Sequence, residues 1–251
     1  MKARLITFSL GLLLGSALYS QKIIDSHNNT WLMYFGNHKL TDHLSLHTEY
    51  QFRRNNFLAD WQQSLARIGI DFKTSDNSLV TGGYGWIVSF PYGKQPIAVK
   101  TTEHRVFEQF ILKNTVGKLH FNHRYRLEQR FIENAFTNAV GLKEVNGTRF
   151  RQRARYRLMV TMPLNNKELI DKTLFLSAYE EIFLGFGKGI GANVLDQNRL
   201  YFALGWRFNK NINTQLGYLN HYVLKGDGQR AERNHTLQLS LTYNLDFRSK
   251  E

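Results

Sequence analysis

"TRFRQRARYRLMV", residues 148–160, carries arginine at 149, 151, 153, 155 and 157, with Phe150, Ala154, Tyr156, Leu158 and Val160 filling most of the gaps. A helix would scatter these arginines around its circumference. On a strand, alternate residues share a face, so five guanidiniums line one side and mostly apolar groups the other. The stretch reads as a strand with one ionic face, Gln152 being the polar exception on the apolar side.

The same alternation recurs along the chain. In "NHTLQLSLTYNLDF", residues 234–247, Leu237, Leu239, Leu241, Tyr243, Leu245 and Phe247 oppose Thr236, Gln238, Ser240, Thr242, Asn244 and Asp246. "HLSLHTEYQFRR" sets Leu44, Leu46, Tyr50 and Phe52 against His43, Ser45, His47, Glu49, Gln51 and Arg53. "KLHFNHRYRLEQRF" sets Leu119, Phe121, Tyr125, Leu127 and Phe131 against His120, Asn122, Arg124, Arg126, Glu128 and Arg130. "QNRLYFALGWRF" sets Leu200, Phe202, Leu204 and Trp206 against Arg199, Tyr201, Gly205 and Arg207. Period-two patterning of this length is a strand signal. Further strands are expected at 61–73, 78–90, 102–114, 172–185 and 211–224, with a weaker one at 30–36. At 102–114 and 172–185 glutamate occurs on both faces, so neither face is assigned. Short connections with turn chemistry, "TSDNS" at 74–78, "TVG" at 115–117 and "NKN" at 209–211, alternate with longer ones at 91–101, 132–147, 186–196 and 225–233. The connection at 163–171 breaks that alternation of lengths.

Lysine and arginine number 33 against 20 acids, a net charge of +13 over 251 residues. Such a balance invites a nucleic-acid reading, but the N-terminus opposes it. "MKARLITFSLGLLLGSALYSQ" places Lys2 and Arg4 before an apolar run from Leu5 to Leu14 and small residues at Gly15, Ser16, Ala17 and Ser20. That is the layout of a secretory signal peptide, spanning residues 1–20, with cleavage after Ala17 or, preferred, Ser20. An exported chain does not meet the genome, so no nucleic-acid partner is expected. The absence of cysteine excludes disulfides, thiolate metal sites and a lipidated N-terminal cysteine.

Two architectures can use these strands. A soluble β-protein buries its apolar faces and uses strands of about five or six residues. Here the strands run to roughly ten to fourteen, the length that crosses a bilayer at a tilt. A membrane β-barrel turns apolar side chains to lipid and polar ones to the lumen, and closes every backbone hydrogen bond. The expected fold is therefore an all-β, transmembrane, antiparallel up-and-down barrel over residues 30–251, preceded by a lead segment at 21–29. Trp31, Phe52, Trp61, Phe90, Phe131, Trp206 and Phe247 lie near strand ends and suit aromatic girdles. Single-chain bacterial barrels have even strand numbers. The expectation is accordingly ten to twelve strands, leaning to twelve, with residues 21–29 able to thread the lumen.

"EHRVFEQF" at 103–110, "HRYRLEQRF" at 123–131, "RARYRL" at 153–158, "YEEIFL" at 179–184, "DQNRLYFALGW" at 196–206, "LGYLNHY" at 216–222 and the closing "NHTLQLSLTYNL" carry a family likeness. Together, from about Trp31 to Phe247, they resemble an uncharacterised family of Bacteroidota outer-membrane barrels known as domain of unknown function 2490. The resemblance implies a place in the outer membrane of a Gram-negative cell, among its lipids and lipopolysaccharide, and no activity. The last strand, ending in Phe247, resembles an insertion signal for the barrel-assembly machinery.

Arg53, Arg67, Arg105, Arg124, Arg126, Arg130, Arg149, Arg151, Arg153, Arg155, Arg157, Arg199 and Arg207 are the expected lumen cations, with Glu49, Asp71, Glu128 and Glu181 as acid partners. Such a lumen is either a narrow conduit or pocket for a small anionic solute or an ion-paired filling in a structural or interaction barrel. Two other classes stay open: a lipid-acting outer-membrane enzyme of the lipid A deacylase or phospholipase type, and a soluble periplasmic β binding protein. For an enzyme the best constellation is His43, Ser45, His47 and Glu49 on one strand face. Neighbours two apart on a strand are separated by about 6.6 Å, so these groups need help from other strands to react or to share a metal. Neither a metal-ligand spacing nor a cofactor motif stands out. "GFGKGIGAN" at 185–193 lacks the ending of a phosphate loop and reads as an external loop.

Overall fold

The alternating segments become strands, and the strands close on themselves. A computed structural model describes residues 22–94 and 96–248; the expected signal peptide lies outside the described residues. Eleven strands follow in chain order: β1 (Ile23–Lys39), β2 (Leu44–Asn55), β3 (Asp60–Ser75), β4 (Ser78–Ser89), β5 (Thr101–Val116), β6 (Leu119–Thr137), β7 (Lys143–Pro163), β8 (Thr173–Phe186), β9 (Leu195–Arg207), β10 (Ile212–Leu224) and β11 (Arg230–Tyr243). Each pairs antiparallel with its sequence neighbours, and β1 closes against β11.

The closure differs from the even-number expectation. Strands joined by hairpins alternate in direction, so an odd count brings the first and last together running the same way. β1 and β11 are parallel over thirteen registered pairs, from Ile23 opposite Arg230 to Phe35 opposite Thr242. Residues 23–29, expected as a lead segment free to thread the lumen, are instead the first part of β1 and belong to the wall. There the buried Asn29 donates through Nδ2 to the Oδ1 of Asn234 across the seam, at 2.9 Å. No twelfth strand occurs among the described residues.

The outer wall is apolar and the interior polar. Leu237, Leu239 and Leu241 on β11 are exposed, while Thr236, Gln238 and Ser240 between them are buried. On β6, Tyr125, Leu127 and Phe131 are exposed and Arg124, Arg126 and Glu128 buried. Register also resolves the two unassigned strands. On β5, Glu103 and Arg105 point inward and Glu108 outward; on β8, Glu181 points inward and Glu180 outward. Each outward glutamate has an amide donor on the next strand, Gln129 for Glu108 at 3.1 Å and Asn198 for Glu180 at 3.0 Å.

Aromatic groups gather at the rims, as expected for Phe52, Trp61 and Phe90, with Phe52 edge-on to Trp61 and Trp61 stacked on Phe90, and for Phe131, which packs on Phe150. Trp31 is the correction: it is fully buried inside the barrel. Its indole Nε1 donates to Gln62 Oε1 at 2.7 Å, and the Arg53 guanidinium lies 3.9 Å from its ring centroid. A ring with two inward cations for company, Arg53 and Arg199, gains more from the lumen than from a rim.

Two connections depart from simple turns. β6 and β7 continue pairing as far as Thr137 opposite Lys143, whereas β5 pairs with β6 no further up than Ile132 and β8 with β7 no further than Gln152. The segment expected as a loop at 132–147 is therefore mostly a two-stranded extension rising above the barrel. The segment between β4 and β5 folds inward as a strap. Tyr92 donates its hydroxyl to Glu232 Oε2 at 2.5 Å on β11, and Asp25 Oδ2 on β1 accepts from the Lys94 backbone N–H at 2.7 Å. Gly93, with φ +68°, lies against the His27 ring, where a side chain would overlap it.

Candidate functional site: the arginine-lined lumen

Alternation puts every second residue of β2, β3 and β5–β9 inside, and those positions are rich in arginine. Arg53, Arg67, Arg105, Arg124, Arg126, Arg130, Arg153, Arg155, Arg157 and Arg199 all line one cavity of about 640 Å³. Three of the expected lumen cations lie elsewhere. Arg149 is exposed on the β6–β7 extension, where it reaches Asn134; Arg151 turns back on the Phe150 carbonyl beside Gly189. Arg207 is half-buried at the far rim, 3.9 Å from Asp171. The opening arginine row thus keeps one face, but β7 outruns the barrel and only its last three arginines reach the lumen.

Glu128 is the hub. It is 1% exposed and accepts from Arg105 Nη1 at 3.1 Å, from Arg153 Nε at 2.9 Å and from Arg155 Nη1 at 2.7 Å, with Arg67 Nη2 3.8 Å away. Glu181, equally enclosed, takes Arg124 at 2.6 Å and Arg155 at 2.7 Å, with Arg199 at 3.7 Å. Glu49 takes Arg67 at 2.6 Å. Glu103 receives Arg105 and Arg130, and Asp196 receives Arg153. Glu103 and Asp196 were missed by sequence reasoning, the first because its strand showed acids on both faces. Asp71, expected as an arginine partner, instead lies 3.7 Å from His47 and accepts from Asn37 and Thr81.

The acids do not match the arginines in number. Among the described residues, five carboxylates (Glu49, Glu103, Glu128, Glu181 and Asp196) pair with seven of the ten guanidiniums. Among the described residues, Arg53, Arg126 and Arg157 have no carboxylate within ion-pairing distance. Arg53 rests on Trp31 and bonds Gln51 and Gln63; Arg126 sends Nε and Nη2 to Gln109 Oε1; Arg157 reaches Asn122. Phe183 and Phe107 sit inside among the cations, with Arg155 4.2 Å from the Phe183 centroid and Arg126 4.8 Å from that of Phe107. Phe107 sits where it does because Gly83 leaves room: a Cβ there would press on its ring.

One mouth of this cavity is spanned by the strap. Phe90, Tyr92 and Ile97 line the cavity, and Lys225 pairs with Glu232 beside Tyr92. Burial and the adjacent Glu232 carboxylate push the Tyr92 phenol well above its ordinary range, so it stays a donor.

The constellation His43, Ser45, His47 and Glu49 does not assemble into a nucleophile and its base. His47 lies between two carboxylates, 3.7 Å from Glu49 and 3.7 Å from Asp71, while His43 stacks on Phe72 at the rim. Ser45 pairs in register with Asp71, one strand repeat from His47.

Residues 28–232 match the model of a family described as "Protein of unknown function (DUF2490)". The chain belongs to this family. The matched residues run from β1 into β11 and so take in the whole arginine lumen and its strap. No curated protein and no solved structure matches the chain. Membership therefore brings no activity with it, and what this DUF2490 barrel does has to be argued from the lumen.

Proposed function

We propose that the protein is an outer-membrane β-barrel whose lumen is a cationic pocket, strapped at one mouth, that admits and holds small anions. An apolar outer wall supports the membrane placement. So do the strand lengths: the fourteen residues of β8 at about 3.3 Å each and a tilt near 40° rise roughly 35 Å. That exceeds the roughly 30 Å hydrocarbon core of a bilayer. Outer-membrane lipid and lipopolysaccharide are then its surroundings, and the barrel-assembly machinery its partner during insertion.

The excess of guanidiniums carries the anion reading. Buried charges are normally paired, and a carboxylate shared among four arginines cannot neutralise them all. Unmatched arginines around a water-accessible cavity are kept hydrated or are neutralised by a mobile anion. Reconstitution in planar bilayers under a potassium chloride gradient tests this. The expected reversal potential is anion-selective, and Arg126→Gln with Arg157→Gln moves it toward zero. Cation selectivity would overturn the reading.

One observation favours a second reading, a structural barrel that conducts nothing. The Glu128 network ties side chains from β3, β5, β6 and β7 together across the lumen. A barrel that stays silent after its strap has been released, in a variant such as Asp25→Ala, supports that reading instead.

A further inference from the structure

The cavity has two chemically different walls. In the closed sheet, β11, β1 and β2 lie across from β6 and β7, and β8, β9 and β10 join the two along one side. On the β6–β7 side Arg124 directly opposes Arg157, and Arg126 directly opposes Arg155. Like charges in direct opposition on a sheet destabilise it. Glu181 answers Arg124 and Arg155, but among the described residues Arg126 and Arg157 meet amide acceptors and no carboxylate. Among the described residues, Nη1 of the buried Arg126, and Nε of both Arg124 and Arg157, have no hydrogen-bond partner. Guanidinium donors left unsatisfied in an enclosed space are costly.

A second stretch of the wall, on β1, β9 and β10, is apolar. Trp31, Met33, Tyr201 and Leu219 form a buried cluster against which Phe35 and Tyr179 pack. Met33, Phe35 and Tyr201 line the same cavity as Arg126 and Arg157. A hydrated anion such as phosphate gains nothing from such a wall and leaves it wet. A molecule with an acidic head and an apolar body satisfies both sides at once. The volume of about 640 Å³ suits an organic ligand, since small-molecule sites run from about 300 to 1,000 Å³.

We propose that the lumen binds an amphiphilic anion, a carboxylate or phosphate monoester bearing an aromatic or short acyl body. Arg126 and Arg157 hold the head, and Met33, Phe35 and Tyr201 receive the body. This rests on the anion reading above and narrows it to a ligand class.

Titration calorimetry of the intact barrel in detergent micelles tests it, with phenyl phosphate and benzoate as amphiphilic anions, inorganic phosphate as the bare head and phenol as the bare body. Phenyl phosphate is expected to bind saturably, one per chain, at least tenfold tighter than inorganic phosphate, with phenol showing no saturable binding. Arg126→Gln with Arg157→Gln weakens phenyl phosphate tenfold or more. Met33→Gln, which leaves every arginine in place, weakens phenyl phosphate but not inorganic phosphate. Equal affinity for phenyl phosphate and inorganic phosphate overturns the proposal while leaving the anion reading standing. Absence of saturable binding by both phenyl phosphate and benzoate also overturns it, and chloride selectivity in bilayers then decides the broader reading separately.

Discussion

Glu128 sits where two features of the lumen meet: a fully enclosed carboxylate and a surplus of cations. Two charges taken from water lose hydration that their mutual attraction restores only with good geometry and further hydrogen bonds. Glu128 meets that condition, because Arg105, Arg153 and Arg155 each donate to it directly. Removing its charge strands several buried guanidiniums at once. Glu128→Gln is therefore expected to destabilise the barrel by about 3–5 kcal/mol, the cost of breaking a buried pair, measured by denaturant unfolding in micelles. Lys73, which pairs with Asp76 in open solvent, provides the contrast, and Lys73→Ala leaves the midpoint unmoved. Equal midpoints for both variants would show that the hub is solvated. At this scale much of the site was legible: strict alternation in "KLHFNHRYRLEQRF" placed Arg124, Arg126 and Glu128 on one face. Trp31 was not legible, because alternation gives a face but cannot say that Arg53, opposite it on β2, and Arg199 from β9 both close on its ring.

The strap between β4 and β5 shows what an element can do that its local sequence hides. Nothing in "FPYGKQPIAVK" reveals where the chain goes, since its anchors are Asp25 on β1 and Glu232 on β11, far away along the chain. Lys94 is held through its backbone N–H by Asp25, so trypsin should cut after Lys94 slowly in the folded protein. Asp25→Ala is expected to speed that cleavage several-fold with the barrel otherwise intact, read by mass spectrometry of the fragments. Unchanged cleavage would mean that the strap is held by Tyr92 and Glu232 alone. The β6–β7 extension was misread for a related reason. Its residues at 133–147 rise beyond the closed wall and lose the apolar alternation, so patterning suggested a loop where backbone pairing continues. Strand β11 likewise runs from Arg230 to Tyr243 rather than 234–247. Its alternation continues past Tyr243, where the pairing with β1 narrows to a single bridge between Lys39 and Asp246.

For the whole molecule, the decisive property is the inversion of polarity, and period-two patterning made it readable before any contact was known. The strand count was nearly readable too; closure was not, because parity depends on whether residues 23–29 join the wall, and polar "DSHNN" carries no apolar face to say so. In the seam those residues bury Asp25 and Asn29 inward, as a lumen-facing row requires. The inversion makes a prediction that a water-soluble barrel does not share. Leu237 is at mid-strand on the outer wall and Leu241 nearer the rim, 49% and 40% exposed. If the wall meets hydrocarbon, an arginine at mid-depth costs about 2–4 kcal/mol, falling to roughly 0–1 near the interface. Leu237→Arg should therefore destabilise the barrel in lipid vesicles far more than Leu241→Arg. Glu180, outward on β8 between Leu158 and Leu200, provides the reverse case: Glu180→Leu removes a carboxylate from the same band and should raise the unfolding midpoint in vesicles. A wall facing water makes the two arginine variants alike and leaves Glu180→Leu without benefit, and that pattern would remove the bilayer from the account.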